Sequence, residues 1–139
     1  MTKAQKYFNA IKDKRVAFIG VGVSHTDLIK VFLSKGINCV ICDKREEDEF
    51  DPMLIEDFRA KGCEFALGEN YLDELFNCDI VFRTPGMYYN DPTLTKARKK
   101  GVVITSEMET FFDLCPCKTY ALTGSTAVGA FAAIVAYLR

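Results

Sequence analysis

The stretch that most limits how this chain can fold is Val16–Ile19, a short apolar run that enters Gly20-Val21-Gly22-Val23-Ser24. Apolar residues then recur at Leu28, Ile29, Phe32 and Leu33, a helical spacing. Gly20 and Gly22 permit a tight turn and a close approach of main chain to a phosphate. A helix opening on such a turn offers free N–H groups and the positive end of its dipole. A second apolar run, Ile37–Cys42, ends on Asp43, near the spacing of an acid that bonds a ribose or a base. The order strand, glycine turn, helix, strand, acid is that of a nucleotide-binding βαβ unit. The turn lacks the third glycine of G-x-G-x-x-G, so the flanking strand, helix and Asp43 carry the reading rather than the glycines alone.

The chain has 139 residues, of which 49% are hydrophobic, enough for one compact core. Its formal net charge of −1 gives no electrostatic footprint for nucleic acid or an anionic membrane. Met1–Lys14 is polar and charged and does not read as a signal peptide, and no apolar run reaches the ~20 residues of a membrane span. A cytoplasmic protein is expected. In a reducing cytosol the six cysteines are not expected to pair. Cys39, Cys42, Cys63 and Cys78 lie in or beside apolar runs and read as small buried hydrophobes. Cys39 and Cys42 have C-x-x-C spacing, but within a strand rather than at a helix start, which argues against redox chemistry. Cys115-Pro116-Cys117 has no second ligand pair nearby, so no metal site is expected.

Along the chain, Tyr7, Phe8 and Ile11 predict a short amphipathic helix over residues 3–12. Further helices are predicted over 24–34, from Pro52 to Ala60, near Tyr71–Leu75, from Pro92 to Lys99, and from the cap Ser106 through Phe112. Strands are predicted at Val16–Ile19, Ile37–Cys42, Cys63–Ala66, Asp79–Phe82, Val102–Ile104 and Tyr120–Leu122. A last apolar helix is predicted from Val128 to Leu138. Strands apolar on both faces, alternating with helices, predict an α/β Rossmann-like fold with a mostly parallel sheet covered on both sides.

Ligands of such sheets bind at the carboxyl ends of the strands. The candidates are therefore Gly20, Gly22, Val23, Ser24 and His25 after the first strand, and Asp43, Lys44 and Arg45 after the second. Arg83, Thr84, Pro85, Gly86 and Met87 follow the fourth, Thr105, Ser106 and Glu107 the fifth, and Thr123, Gly124 and Ser125 the sixth. Asp43 either bonds a ligand or caps the loop that leaves its strand. Arg45 either lays its guanidinium on a base or is a solvated charge beside Glu46–Glu49. His25 is either a surface residue or a hydrogen-bonding partner of a phosphate. Pro85 drives Thr84 towards extended geometry, and Gly86 frees the main chain to face a ligand.

Taken together, G-V-G-V-S (20–24), C-D-K-R (42–45), D-I-V-F-R-T-P-G-M (79–87), D-P-x-L (91–94), S-E-M-E-T-F (106–111) and Y-A-L-T-G-S (120–125) resemble the Mur ligases, most closely their D-glutamate-adding branch. The resemblance runs from about residue 10 to 125. It implies residues 1–117 as the Rossmann-like domain that holds a UDP-linked muramoyl precursor, and 118–139 as the start of an ATP-binding central domain. It implies that Val23 and Ser24 lie against the pyrophosphate, that Asp43 and Lys44 meet the uracil with Arg45 packed on it, and that Thr84 and Gly86 line the other side of the base or ribose. ATP and Mg²⁺ are implied for the family's complete enzymes, in a reaction that phosphorylates the precursor's carboxylate before an amine attacks.

One departure sets a limit. The family follows T-G-S with a loop ending in G-K-[ST], whose lysine grips the phosphates of ATP. Here Thr123-Gly124-Ser125 runs into Thr126-Ala127-Val128-Gly129-Ala130, without that lysine. This chain alone is therefore expected to bind a substrate, to carry no catalytic residue and cofactor of its own, and to form no amide. The apolar last helix is compatible with a homodimer. Two other readings stand beside this one: an NAD-binding Rossmann module of a dehydrogenase or nucleotide sensor, and a non-binding interaction module that keeps only the fold.

Overall fold

The computed structural model describes residues 1–120. The expected sixth strand beyond Tyr120, the Thr123-Gly124-Ser125 turn and the last helix, on which the expected homodimer rests, lie outside the described residues. Among the described residues, five strands form one all-parallel sheet: β1 (Arg15–Ile19), β2 (Asn38–Asp43), β3 (Glu64–Leu67), β4 (Ile80–Phe82) and β5 (Val103–Thr105). Their spatial order is β3-β2-β1-β4-β5. The chain winds outward from β1 through β2 to β3, then crosses back to β4 on the other side of β1. The strand order thus reverses between β1 and β4, and a crevice opens there at the carboxyl edge. The expected Rossmann-like class holds.

Among the described residues, five helices accompany the sheet: α1 (Lys3–Ala10), α2 (Val23–Ser34), α3 (Pro52–Ala60), α4 (Pro92–Lys99) and α5 (Glu107–Leu114). Their boundaries follow from local chemistry. The Asp51 side chain accepts the Met53 amide at 2.9 Å with Pro52 as the first helical residue, and Asp91 caps Thr93 at 2.8 Å with Pro92 in the same place. Ser106 caps α5 as expected. Where a short helix was expected near Tyr71–Leu75, the chain makes a 3-10 turn over Asp73–Asn77, and the charged loop holds a second one over Glu47–Glu49.

Alternation along the strands splits the core in two. Val16, Phe18, Cys39, Ile41 and Phe82 point to the face covered by α1, α2 and α3. Ala17, Ile19, Val40, Cys42 and Val81 point to the face covered by α4 and the Asp73–Asn77 turn. Phe18 stacks on Phe82 with ring centroids 5.0 Å apart and meets Phe32 of α2 edge-on at 5.3 Å. These rings tie β1, β4 and α2 together directly beneath the crevice. The four cysteines expected inside are buried and unpaired.

Candidate nucleotide site

Because the strands are parallel, every segment that follows a strand emerges at one edge. Gly20 still belongs to the sheet: its N–H donates to the Cys42 carbonyl at 2.8 Å. Its φ is +78°, a conformation that L residues rarely adopt. A Cβ there would also lie 3.1 Å from Thr84 Cγ2, so the β1 and β4 loops approach each other across the crevice. Gly22 is different. Its φ of −104° strains no residue, and open space lies where its Cβ would be. It caps α2 without a side chain, so the first amides of that helix stand free of an intrahelical acceptor and uncovered by the cap. Val23 and Ser24 form the first turn.

Asp43 closes β2 and is only 6% exposed. Its carboxylate accepts the Val21 amide at 3.1 Å, the Arg45 amide at 3.0 Å, Arg45 Nε at 3.1 Å and Arg45 Nη2 at 2.7 Å. Burial alone would raise its pKa. The Arg45 guanidinium and the two amides outweigh burial and hold it below the ordinary carboxylate value. Asp43 is thus the strut that fixes the glycine turn to β2. Arg45 also donates to the Val21 carbonyl at 3.1 Å, and its guanidinium lies 4.2 Å from the Phe50 ring centre. It is therefore not a free solvated charge. Lys44 is exposed.

Thr84–Met87 forms a β-turn closed by the Met87 amide on the Thr84 carbonyl at 3.1 Å. Gly86 is not at positive φ, which corrects the expectation that this turn needs its backbone freedom. What glycine leaves at 86 is open space. A cavity lies on each side of the turn. One, of about 320 Å³, is bordered by Ile19, Tyr71, Thr84, Gly86, Met87 and Asp91. The other, of about 300 Å³, is bordered by His25, Arg83, Pro85, Ser106, Glu107 and Met108. Tyr71 was not legible as a site residue. Its phenol pKa is raised by burial and by the charges of Asp43 and Asp91. A larger open cavity of about 790 Å³ lies away from the crevice, against α3. Glu47, Asp48 and Glu56 line it, and its one arginine, Arg59, is already paired with Glu47, so the lining disfavours a diphosphate.

His25 loses one of its two readings. It is no surface residue but 2% exposed. Its Nδ1 lies 2.9 Å from the Gly20 carbonyl, which can only accept, so Nδ1 carries the proton. The ring meets Phe18 edge-on at 5.9 Å. Counted from Gly20 and Gly22, His25 stands where the dinucleotide fingerprint has its third glycine. That glycine lets helix and strand pack closely. Here an imidazole fills the space.

A family model described as "Mur ligase MurD-like, N-terminal domain" matches residues 14–106. The chain belongs to this family. Curated relatives named UDP-N-acetylmuramoylalanine–D-glutamate ligase are similar to it: 44% identical over 124 residues in Acetivibrio thermocellus, covering 89% of this chain and 26% of the relative. The relative from Clostridium novyi is 43% identical over 125 residues, covering 87% of this chain and 27% of its own length. That from Clostridium tetani is 45% identical over 124 residues, with coverages of 86% and 27%. The chain thus spans about a quarter of the length of the relatives it matches.

In this MurD-like domain the candidates that follow β1, β2, β4 and β5 share the carboxyl edge, while Thr123, Gly124 and Ser125 lie outside the described residues. Among the described residues no cluster of three or more His, Cys, Asp or Glu side chains is placed to hold a metal. No described helix is long and apolar enough to cross a membrane.

Proposed function

We propose that this chain holds the uridine diphosphate half of a UDP-N-acetylmuramoylalanine precursor, on behalf of a D-glutamate-adding ligase of peptidoglycan synthesis. The observation that carries the reading is the crevice between β1 and β4, where the Gly20 turn, Asp43, Arg45 and the Thr84–Met87 turn meet one helix N-terminus. The free amides of α2 and its dipole suit a diphosphate. Arg45 suits the base. Its guanidinium is held flat by Asp43 and rests on Phe50, yet the side chain remains 39% exposed. A uracil can stack on a face that is already oriented, with little ordering left to pay. Lys44, beside it, is exposed and available to a uracil carbonyl. Residues 1–117 form the binding domain in this reading, and 118–139 begin the next.

ATP with Mg²⁺ supplies the family's carboxylate activation when bound. The residues at 123–130 do not fit that group. They include no lysine, and no hydroxyl stands at Gly129 or Ala130 where a magnesium ligand is required. No step through ATP is derived for this chain.

NAD is the weaker reading. His25 in place of the third glycine occupies the space that lets helix and strand close up around a dinucleotide. Calorimetric titration with UDP, UDP-N-acetylmuramoyl-L-alanine, NAD and ATP tests the proposal. Both uridine ligands are expected to bind more tightly than NAD or ATP. NAD binding more tightly than UDP would overturn it, and heat from none of the four would favour a fold kept only for interaction.

A further inference from the structure

The cavity bordered by His25, Arg83, Ser106 and Glu107 holds an arginine that its own protein leaves poorly satisfied. Arg83 Nε is buried without a partner, the one such side-chain atom among the described residues. Its Nη1 reaches the Met87 carbonyl only at 3.3 Å, and its Nη2 stands 3.6 Å from Glu109 Oε1. Buried guanidinium donors are ordinarily matched, because an unmet one costs free energy. Arg83 is also fixed at its base: its own amide donates to Thr105 at 2.9 Å, so the backbone is held while the head group is loosely held. Across the cavity, His25 Nδ1 is committed to Gly20, and Nε2 has no hydrogen-bond partner among the described residues. The cavity lies beside the N-terminus of α2, where the proposed function puts the diphosphate.

We propose that Arg83 is a phosphate-gripping residue of this site, which exchanges its long contact with Glu109 for a bidentate hold on a phosphate of the bound nucleotide. A guanidinium fork suits phosphate oxygens in that way and gains charge-assisted bonds shorter than those it gives up. His25 Nε2 and the Ser106 hydroxyl border the same space. Glu107 stands there too, and its carboxylate accepts hydroxyls rather than phosphate oxygens. The mixed lining therefore fits a phosphate attached to a sugar better than a bare polyanion. At about 300 Å³ the cavity admits one such group and not a whole nucleotide. This inference rests on the uridine diphosphate reading, and its test separates the two.

The test is titration of the full chain and its Arg83→Gln and Glu109→Gln variants with UDP, uridine and inorganic pyrophosphate, with melting temperatures recorded alongside. Arg83→Gln is expected to weaken UDP about tenfold to a hundredfold and to leave uridine unchanged, the worth of one charge-assisted pair. Glu109→Gln is expected to tighten UDP several-fold, because the competing partner of Arg83 is lost. Equal loss of UDP and uridine in Arg83→Gln, or UDP binding unaltered in a folded variant, overturns the inference. If Arg83→Gln does not fold, Glu109→Gln decides, and unchanged or weaker UDP binding there is fatal. If the unaltered chain binds pyrophosphate through Arg83 but UDP no better, the anion grip stands and the nucleotide reading falls. Binding of neither ligand sinks both.

Discussion

Arg45 Nη2 lies 2.7 Å from Asp43 Oδ2, and the same carboxylate holds the Val21 amide at 3.1 Å. One acid thus fixes both the glycine turn and the side chain proposed to carry the base. Removing its charge is therefore expected to disturb stability and binding together. Asp43→Ala leaves the half-buried Val21 amide and Arg45 without their acceptor, and is expected to cost about 1–3 kcal/mol in denaturant unfolding.

The pH dependence of that strut has a definite sign. The folded pKa of Asp43 is lowered, so its contribution is present above the unfolded pKa near 4 and is lost as pH falls through the folded value. The melting temperature is expected to drop on acidification below about pH 4. Asp43→Asn is expected to start lower at pH 7 and to fall less steeply over that range. A variant whose melting temperature tracks the unaltered chain in parallel at every pH would contradict the assignment.

The two glycines of the turn are predicted to differ. Gly20→Ala puts a Cβ at φ +78° and 3.1 Å from Thr84 Cγ2, so it is expected to cost about 1–3 kcal/mol of stability. Gly22→Ala meets neither strain nor a neighbour and is expected to change stability by less than about 1 kcal/mol. Its methyl would instead occupy the open space beside the turn, where the bound nucleotide is proposed to lie, so UDP affinity is expected to fall while the melting temperature hardly moves. Stability and titration measured on the same two proteins give the crossed pattern or refute it.

Most of the fold was legible because its punctuation is local. Asp51-Pro52 and Asp91-Pro92 encode a cap and a first helical residue in adjacent positions, and α3 and α4 begin and end where expected. The doubly covered sheet follows from strands without a polar face. The site was only partly legible, because its geometry is tertiary. Asp43 reads from sequence as a ligand or a cap, and only the fold shows four hydrogen bonds converging on its carboxylate. The burial of His25 had a signal in the spacing of Gly20 and Gly22, since the third-glycine position faces the sheet in this motif. Arg83 was legible only as a polar residue at the end of a strand, and its unmet donor appears once the crossover brings β5 and α5 beside it. Tyr71 had no signal.

The cysteines yield a count. Burial pushes the thiols of Cys39, Cys42 and Cys63 up to about 12 and that of Cys78 up to about 11, whereas Cys117 is exposed and Cys115 half-buried. Thiolate is the reactive form, so the four core cysteines are expected to be inert in the folded chain at pH 8. A disulfide exchange reagent should titrate two thiols rapidly and the other four only on unfolding. Rapid reaction of more than two would mean that the sheet opens locally.

His25 supplies the sharpest test of how the turn is built. Its ring fills the space between α2 and β1, against Phe18, and its Nδ1–H holds the Gly20 carbonyl at 2.9 Å. His25→Ala removes the ring and the bond together, and is expected to cost about 2–4 kcal/mol. His25→Phe keeps much of the ring but leaves the Gly20 carbonyl without a donor, so it is expected to cost about 1–3 kcal/mol and to loosen the turn. Hydrogen exchange reads the difference directly. The Gly20 and Val21 amides, bonded to Cys42 and Asp43, should lose protection in His25→Phe while the amides of β3 keep theirs. Unchanged protection at Gly20 and Val21 would show that the imidazole only fills space and does not hold the turn.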